Sequence, residues 1–107
     1  MVNLPLVKAT KLLHQKATLR HRDNKRLGTF EIVVWSVPKG AHYPDGIKYR
    51  LWLSEEWKTL VGFDNHQPKG PHVHIGGREI QYDFKGLEQL KIDFLKLIDL
   101  EGFIYEG

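Results

Sequence analysis

Cysteine is absent from the 107-residue sequence. That absence excludes a disulfide framework and a thiolate metal site, and it agrees with a reducing compartment. Nor is there anything near the roughly 18 consecutive apolar residues that a membrane helix needs. The opening MVNLPLVKATKLL lacks the apolar run of a signal peptide, so a cytoplasmic protein with no membrane partner is expected. No segment repeats, and none is of low complexity. Acidic residues number 13 against 16 lysines and arginines, giving a net charge of +3 and a pI of about 9.2. This mild basic bias favours a polyanionic partner but is shared by many ordinary domains. The length suits one domain, 1–107, with a single core.

What is present changes period once, near residue 86. Before it the pattern is strand-like. Phe30 to Val37 (FEIVVWSV) is β-branched and aromatic and is stopped by Pro38-Lys39-Gly40. Lys11 to Leu19 reads as its partner strand, with a turn over Arg22 to Gly28. In Ile47 to Leu53, Ile47, Tyr49, Leu51 and Leu53 share one face, and Lys48, Arg50 and Trp52 share the other. Lys58 to Asp64 should return as a fourth strand after an acidic turn at Ser54-Glu55-Glu56.

Beyond Gly86, the residues Leu87, Leu90, Phe94, Leu97 and Ile98 form one helical stripe, and Gly102 suits a helix C-terminus. Phe103-Ile104-Tyr105 either adds a short edge strand or covers the core. The expected fold is α+β in two layers, an antiparallel meander of about four to five strands packed on one C-terminal helix. The other face of the sheet, with Lys48, Arg50 and Trp52, should lie open.

Between the fourth strand and the helix comes NHQPKGPHVHIGGRE, residues 65–79, read as the longest irregular connection. It holds three of the six histidines. Long ordered loops in compact domains are disproportionately functional. If the backbone there is extended, His72 and His74, two apart, project to the same side. Lys69 and Arg78 flank them, and Asp64 ends the strand that enters. Imidazoles placed beside cations suit phosphodiester cleavage: one takes the 2′-hydroxyl proton, another acid protonates the leaving 5′-oxygen, and cations offset charge on phosphorus. The same pair is also what an ordinary surface strand carries, and H-x-H with Asp64 is a minimal metal-ligand pattern. His14, His21 and His42 read as structural or solvated. Trp35, Trp52 and Trp57 read as packing, with Trp52 alone on the basic face, where stacking on a base is conceivable.

The order KLLH, EIVVWSVP, GIKYRLWL, LVGFDNHQPKGPHVHIGGREIQYDF and LEQLKIDFLKLI resembles the TumE-type family of small prokaryotic toxins, over about Thr10 to Ile98. Its most specific pieces are Lys48-Tyr49-Arg50, Gly62-Phe63-Asp64-Asn65, Lys69-Gly70, His72-x-His74, Gly77-Arg78-Glu79 and Tyr82-x-Phe84. At Pro71 and Val73 the chain departs from the acidic residue and the cation that the resemblance implies. The resemblance implies a toxin encoded beside a helix-turn-helix antitoxin, inhibiting growth through RNA.

On the residues' own chemistry, the leading expectation is a metal-independent endoribonuclease without a cofactor. His72 and His74 serve as base and acid, Asp64 orients one imidazole, and Lys48, Arg50, Lys69 and Arg78 hold phosphate. RNA is the substrate and a helix-turn-helix antitoxin the partner, with a homodimer left open. The rivals are a non-catalytic module that binds nucleic acid or a protein partner, and a metal-dependent nuclease.

Overall fold

The computed structural model of the protein describes residues 9–106, so most of the opening segment read for a leader lies outside it. Seven strands and one helix follow in the order β1 Thr10–His21, β2 Leu27–Ser36, β3 Ile47–Glu55, β4 Lys58–Asp64, β5 His72–Ile75, β6 Arg78–Gln81, α1 Leu87–Leu100 and β7 Phe103–Ile104. All join one sheet of order β6-β5-β4-β3-β2-β1-β7, antiparallel at every pairing. The α+β class and the C-terminal helix are as expected.

The strand count is a correction, seven rather than four to five. Two of the added strands come from the stretch read as an irregular loop. Residues 72–81 fold as a hairpin whose turn, Gly76-Gly77, has φ of 53° and 82°. Two consecutive positive-φ residues make the two-residue turn whose twist matches the flanking strands. Each strand has four residues, and every residue of β6 is exposed. So short and polar a strand carries almost no periodic signal. The β3–β4 turn is likewise made by two positive-φ residues, Glu56 and Trp57, which leaves Trp57 fully exposed rather than packed.

The apolar faces of β2 (Phe30, Ile32, Val34), β3 (Tyr49, Leu51, Leu53) and β4 (Val61, Phe63) form the core with Leu90, Phe94 and Ile98 of α1. Phe94 is fully buried, with its ring 5.5 Å from Phe30 and 6.1 Å from Phe63. Gly102 follows the helix with φ of 88°, and a Cβ there would collide with the His21 imidazole at 2.3 Å. The chain can therefore double back at once, and Phe103–Ile104 pairs with Arg20 and His21 as the edge strand. No helix among the described residues is long and apolar enough to cross a membrane. With the only helix among the described residues on one side, the opposite side of β2 to β6 remains open.

Candidate functional site

Strand alternation and register write the open face as rows. Glu31, Trp52, Gly62, His74 and Glu79 are paired in succession across β2 to β6. The next row is Val33, Arg50, Asp64, His72 and Gln81, and beyond it Trp35 pairs with Lys48. Lys48 and Arg50 thus lie beside the two histidines, as their alternation predicts. Trp35 shares this face, so Trp52 is not its sole tryptophan. Val73, between the histidines, points into the core and is 7% exposed.

At the centre one carboxylate faces two imidazoles. Asp64 Oδ1 lies 3.1 Å from His72 Nε2, and Oδ2 lies 3.7 Å from His74 Nε2. The rings sit edge to face with centroids 4.8 Å apart. Their exposure differs: the His72 side chain is 8% exposed and that of His74 39%. His72 Nδ1 donates to the Gly70 carbonyl at 2.7 Å, since a carbonyl only accepts. Both nitrogens of His72 therefore face oxygen acceptors. His74 is the outer imidazole and His72 the inner one.

The segment after β4 is pinned by its own side chains. Asn65, 7% exposed, accepts from the Tyr49 amide at 2.9 Å and donates to the Ile47 carbonyl at 2.8 Å. It thereby extends the β3–β4 ladder with a side chain. Asp64 Oδ1 accepts from the His66 amide at 3.0 Å, and the Gly70 amide closes the turn on the His66 carbonyl at 3.1 Å. This delivers Lys69 to Glu79, whose Oε2 accepts from Nζ at 2.9 Å. The Lys69 ammonium holds the Glu79 carboxyl below the ordinary carboxylate range.

A cavity of about 420 Å³ opens over this arrangement, walled by Trp35, Lys48, Arg50, His66, Lys69 and His74. The Lys48 ammonium lies 5.8 Å from the Trp35 ring and the Arg50 guanidinium 4.2 Å from the Trp52 ring. A larger groove of about 680 Å³ runs along β1 and the tail, but its one histidine, His14, is tied to Glu31 at 2.6 Å.

Of the residues picked from sequence, Asp64, His72, His74, Lys48, Arg50 and Lys69 come together. Arg78 does not: it pairs with Ile75, which puts it on the helix side of the sheet, one residue out of phase with the histidines. Glu79 occupies the place expected of Arg78, with Oε1 3.6 Å from His72 Nε2. His66, Asn65 and Glu79 received no role from the sequence. Reading Gly76-Gly77 as a hairpin turn was the signal that would have set Glu79 opposite His74. His21 packs on Phe103 at 5.0 Å, as a structural residue does, and the main-chain carbonyl of His42 accepts from Gln67.

The Asp64, His72 and His74 ligand atoms all lie within 4.8 Å of one another, so the cluster is also able to hold a metal ion. No curated protein and no solved structure matches the chain. The profile of one family does match, that described as Toxin TumE, and it covers residues 4–101. Nearly the whole chain is matched, and the protein belongs to the TumE toxin family.

Proposed function

We propose that this toxin is a metal-independent endoribonuclease whose substrate-facing imidazole is His74. The carrying observation is the Asp64 carboxylate set between an inner and an outer imidazole on a face that also presents Lys48, Arg50 and Lys69. His74 takes the proton of a 2′-hydroxyl as the 2′-oxygen–phosphorus bond forms and the phosphorus–5′-oxygen bond breaks. His66, on the wall of the same cavity, gives a proton to the departing 5′-oxygen. The products are a 2′,3′-cyclic phosphate and a 5′-hydroxyl. Lys48 and Arg50 hold the phosphate and offset its growing charge.

His72 is buried, so its part is to hold Asp64 from beneath, and Asp64 in turn orients His74. This redistributes the acid and base roles that the sequence gave to His72 and His74. A toxin of this kind is kept silent by an antitoxin partner, and a helix-turn-helix protein encoded beside it is the expected form.

The test uses the chain freed of its partner and single-stranded RNA in excess EDTA. Cleavage leaving a cyclic phosphate is expected, with resistance where the cut position is 2′-deoxy. His74→Ala should slow turnover roughly a hundredfold or more while leaving RNA affinity nearly intact. A chain that binds RNA, cleaves none of it, and still arrests growth as His74→Ala is a binding module, and the enzyme reading falls.

A second reading has its own observation. Two imidazoles and a carboxylate, a donor set that zinc takes, bring their ligand atoms within 4.8 Å of one another at Asp64, His72 and His74. Loss of cleavage in EDTA, restored by a divalent ion, assigns the three residues as ligands.

A further inference from the structure

The open face has one gap, and it adjoins His74. In the row Glu31, Trp52, Gly62, His74, Glu79, only Gly62 has no side chain. Neighbouring strands lie about 4.7–4.9 Å apart, so Trp52 and His74 stand on either side of a space roughly 9.5 Å across between their strands. Nothing in the backbone asks for glycine there, since Gly62 is not among the positive-φ glycines. A Cβ at Gly62 would sit 3.5 Å from Thr59 Cγ2 and 3.7 Å from His74 Cδ2, ordinary contact distances. Glycine inside a strand is unfavourable on its own account, and it marks a place where something else approaches the backbone closely. The space is a cavity of about 230 Å³ whose walls include Arg50, Trp52, Thr59, Gly62, His74 and Gly77.

We infer that this gap is a nucleobase subsite, in which a base of single-stranded RNA lies over the Gly62 backbone between Trp52 and His74. The Arg50 guanidinium lies over the Trp52 ring at 4.2 Å and lines the same cavity, so its plane is a further stacking surface for the base. Aromatic rings and guanidinium planes hold bases by stacking, which is tolerant of sequence because every base has a π-face. Any side chain at position 62 would occupy the space of the base. The subsite rests on the proposed contact between His74 and RNA, and deepens it: the nucleotide seated over Gly62 adjoins the scissile phosphate, because His74 is both a wall of the slot and the proton acceptor. The 420 Å³ cavity on the other side of Asp64 and His74, with Lys48 and Trp35, then receives the neighbouring nucleotide.

The experiment measures binding of a short single-stranded RNA made uncleavable by one 2′-deoxy sugar at the cut position. An abasic nucleotide is stepped through each position, against the wild-type chain and against Gly62→Val, Gly62→Ala and Trp52→Leu. For the wild type, one abasic position should weaken binding roughly five- to a hundredfold, the range that one stacked base contributes. Gly62→Val should weaken the intact oligonucleotide to a similar degree and abolish the penalty of that abasic position. Gly62→Ala should lie between, and Trp52→Leu should reduce the same penalty, so the result does not hang on one variant folding. Binding indifferent to the abasic scan overturns the slot, as does an abasic penalty that persists in folded Gly62→Val. So does equal competition by a base-free sugar phosphate. The underlying reading is separable: a chain with the expected pattern that never cleaves RNA keeps the slot and loses the enzyme. Cleavage that ignores every one of these changes keeps the enzyme and loses the slot.

Discussion

Asp64 and Asn65 are neighbours in sequence with opposite tasks. Asn65 turns inward and replaces two ladder hydrogen bonds with its amide, to Tyr49 and Ile47. Asp64 turns outward and holds two imidazoles and the amide of His66. Asn65→Ala leaves a backbone donor and a backbone acceptor unpaired, each worth about 1–3 kcal/mol where water cannot reach. Urea unfolding should therefore show a clear loss of stability for Asn65→Ala and only a small change for Asp64→Asn. RNA cleavage should show the reverse order, with Asp64→Asn slowing turnover about a hundredfold or more because His74 loses its carboxylate partner. Equal losses of stability in the two variants would mean that Asp64 is chiefly structural. The chemistry of this pair was legible in the sequence on the Asp64 side, where a carboxylate beside H-x-H invites a role. Asn65 was not legible, because an asparagine after a strand reads as a turn residue until the strand it reaches back to is known.

The β5–β6 hairpin is the element that makes the site, and it is the one the sequence concealed. Three strands and the helix were readable because each carries enough apolar residues to fix its period, such as Ile47, Tyr49, Leu51 and Leu53 on β3, whereas the mostly exposed β1 was readable only as the partner that the first hairpin needs. The hairpin has four residues a side and one buried apolar residue, Val73, so its phase is set by the Gly76-Gly77 turn and not by hydrophobicity. A one-residue change of phase moves every side chain to the other face. That is how Arg78 came to be expected at the site in place of Glu79. The turn itself can be tested. Alanine at both Gly76 and Gly77 must adopt left-handed backbone, at about 1–2 kcal/mol per residue. Both positions have open space for a Cβ, so backbone strain is the whole effect. The expected outcome is faster amide hydrogen exchange confined to residues 72–81 together with reduced activity, while β1 to β3 keep their protection. Unchanged exchange in the hairpin would show that contacts with β4 hold it without help from the turn.

For the molecule as a whole, ionisation bounds the range of stability from both sides. The Tyr82 hydroxyl donates to Asp93 at 2.5 Å and holds that carboxyl below the ordinary carboxylate range, as Arg26 does for Glu55 and Lys69 for Glu79. A carboxyl with a lowered folded pKa gives stability that is present above its unfolded value of about 3.9–4.3 and is lost as pH falls through the folded value. Tyr49 and Tyr82 are shifted the other way, chiefly by burial, so their contribution is present below about 10 and lost as pH rises. Urea midpoints should thus be level from about pH 5 to 9 and decline beyond both ends. Asp93→Asn should flatten the acid decline. Tyr49→Phe should flatten the alkaline one and raise stability by about 1 kcal/mol, because the buried Tyr49 hydroxyl has no hydrogen-bond partner among the described residues. An alkaline decline that Tyr49→Phe leaves unchanged would place its source elsewhere.

The charge of the molecule is small, +3, so the proposed affinity for RNA would rest on where the cations sit and not on how many there are. Lys48 and Arg50 stand on the open face over aromatic rings, with no carboxylate ion pair of their own among the described residues. Lys69 is already paired with Glu79, so a phosphate there must compete with a carboxylate. Arg78 faces the other side of the sheet. Each phosphate neutralised on single-stranded nucleic acid releases about 0.7 of a counterion, which appears as a slope in log affinity against log salt. Lys48→Ala and Arg50→Ala should each lower that slope by about 0.7. Lys69→Ala should lower it by less, because Glu79 is freed at the same time, and Glu79→Gln should strengthen binding while steepening the slope. Arg78→Ala should leave the slope where it was. Titrations of an uncleavable oligonucleotide at several salt concentrations read all five. A slope that falls for Arg78→Ala as much as for Lys48→Ala would move the RNA to the hairpin edge, and the open face would lose its claim to be the binding surface.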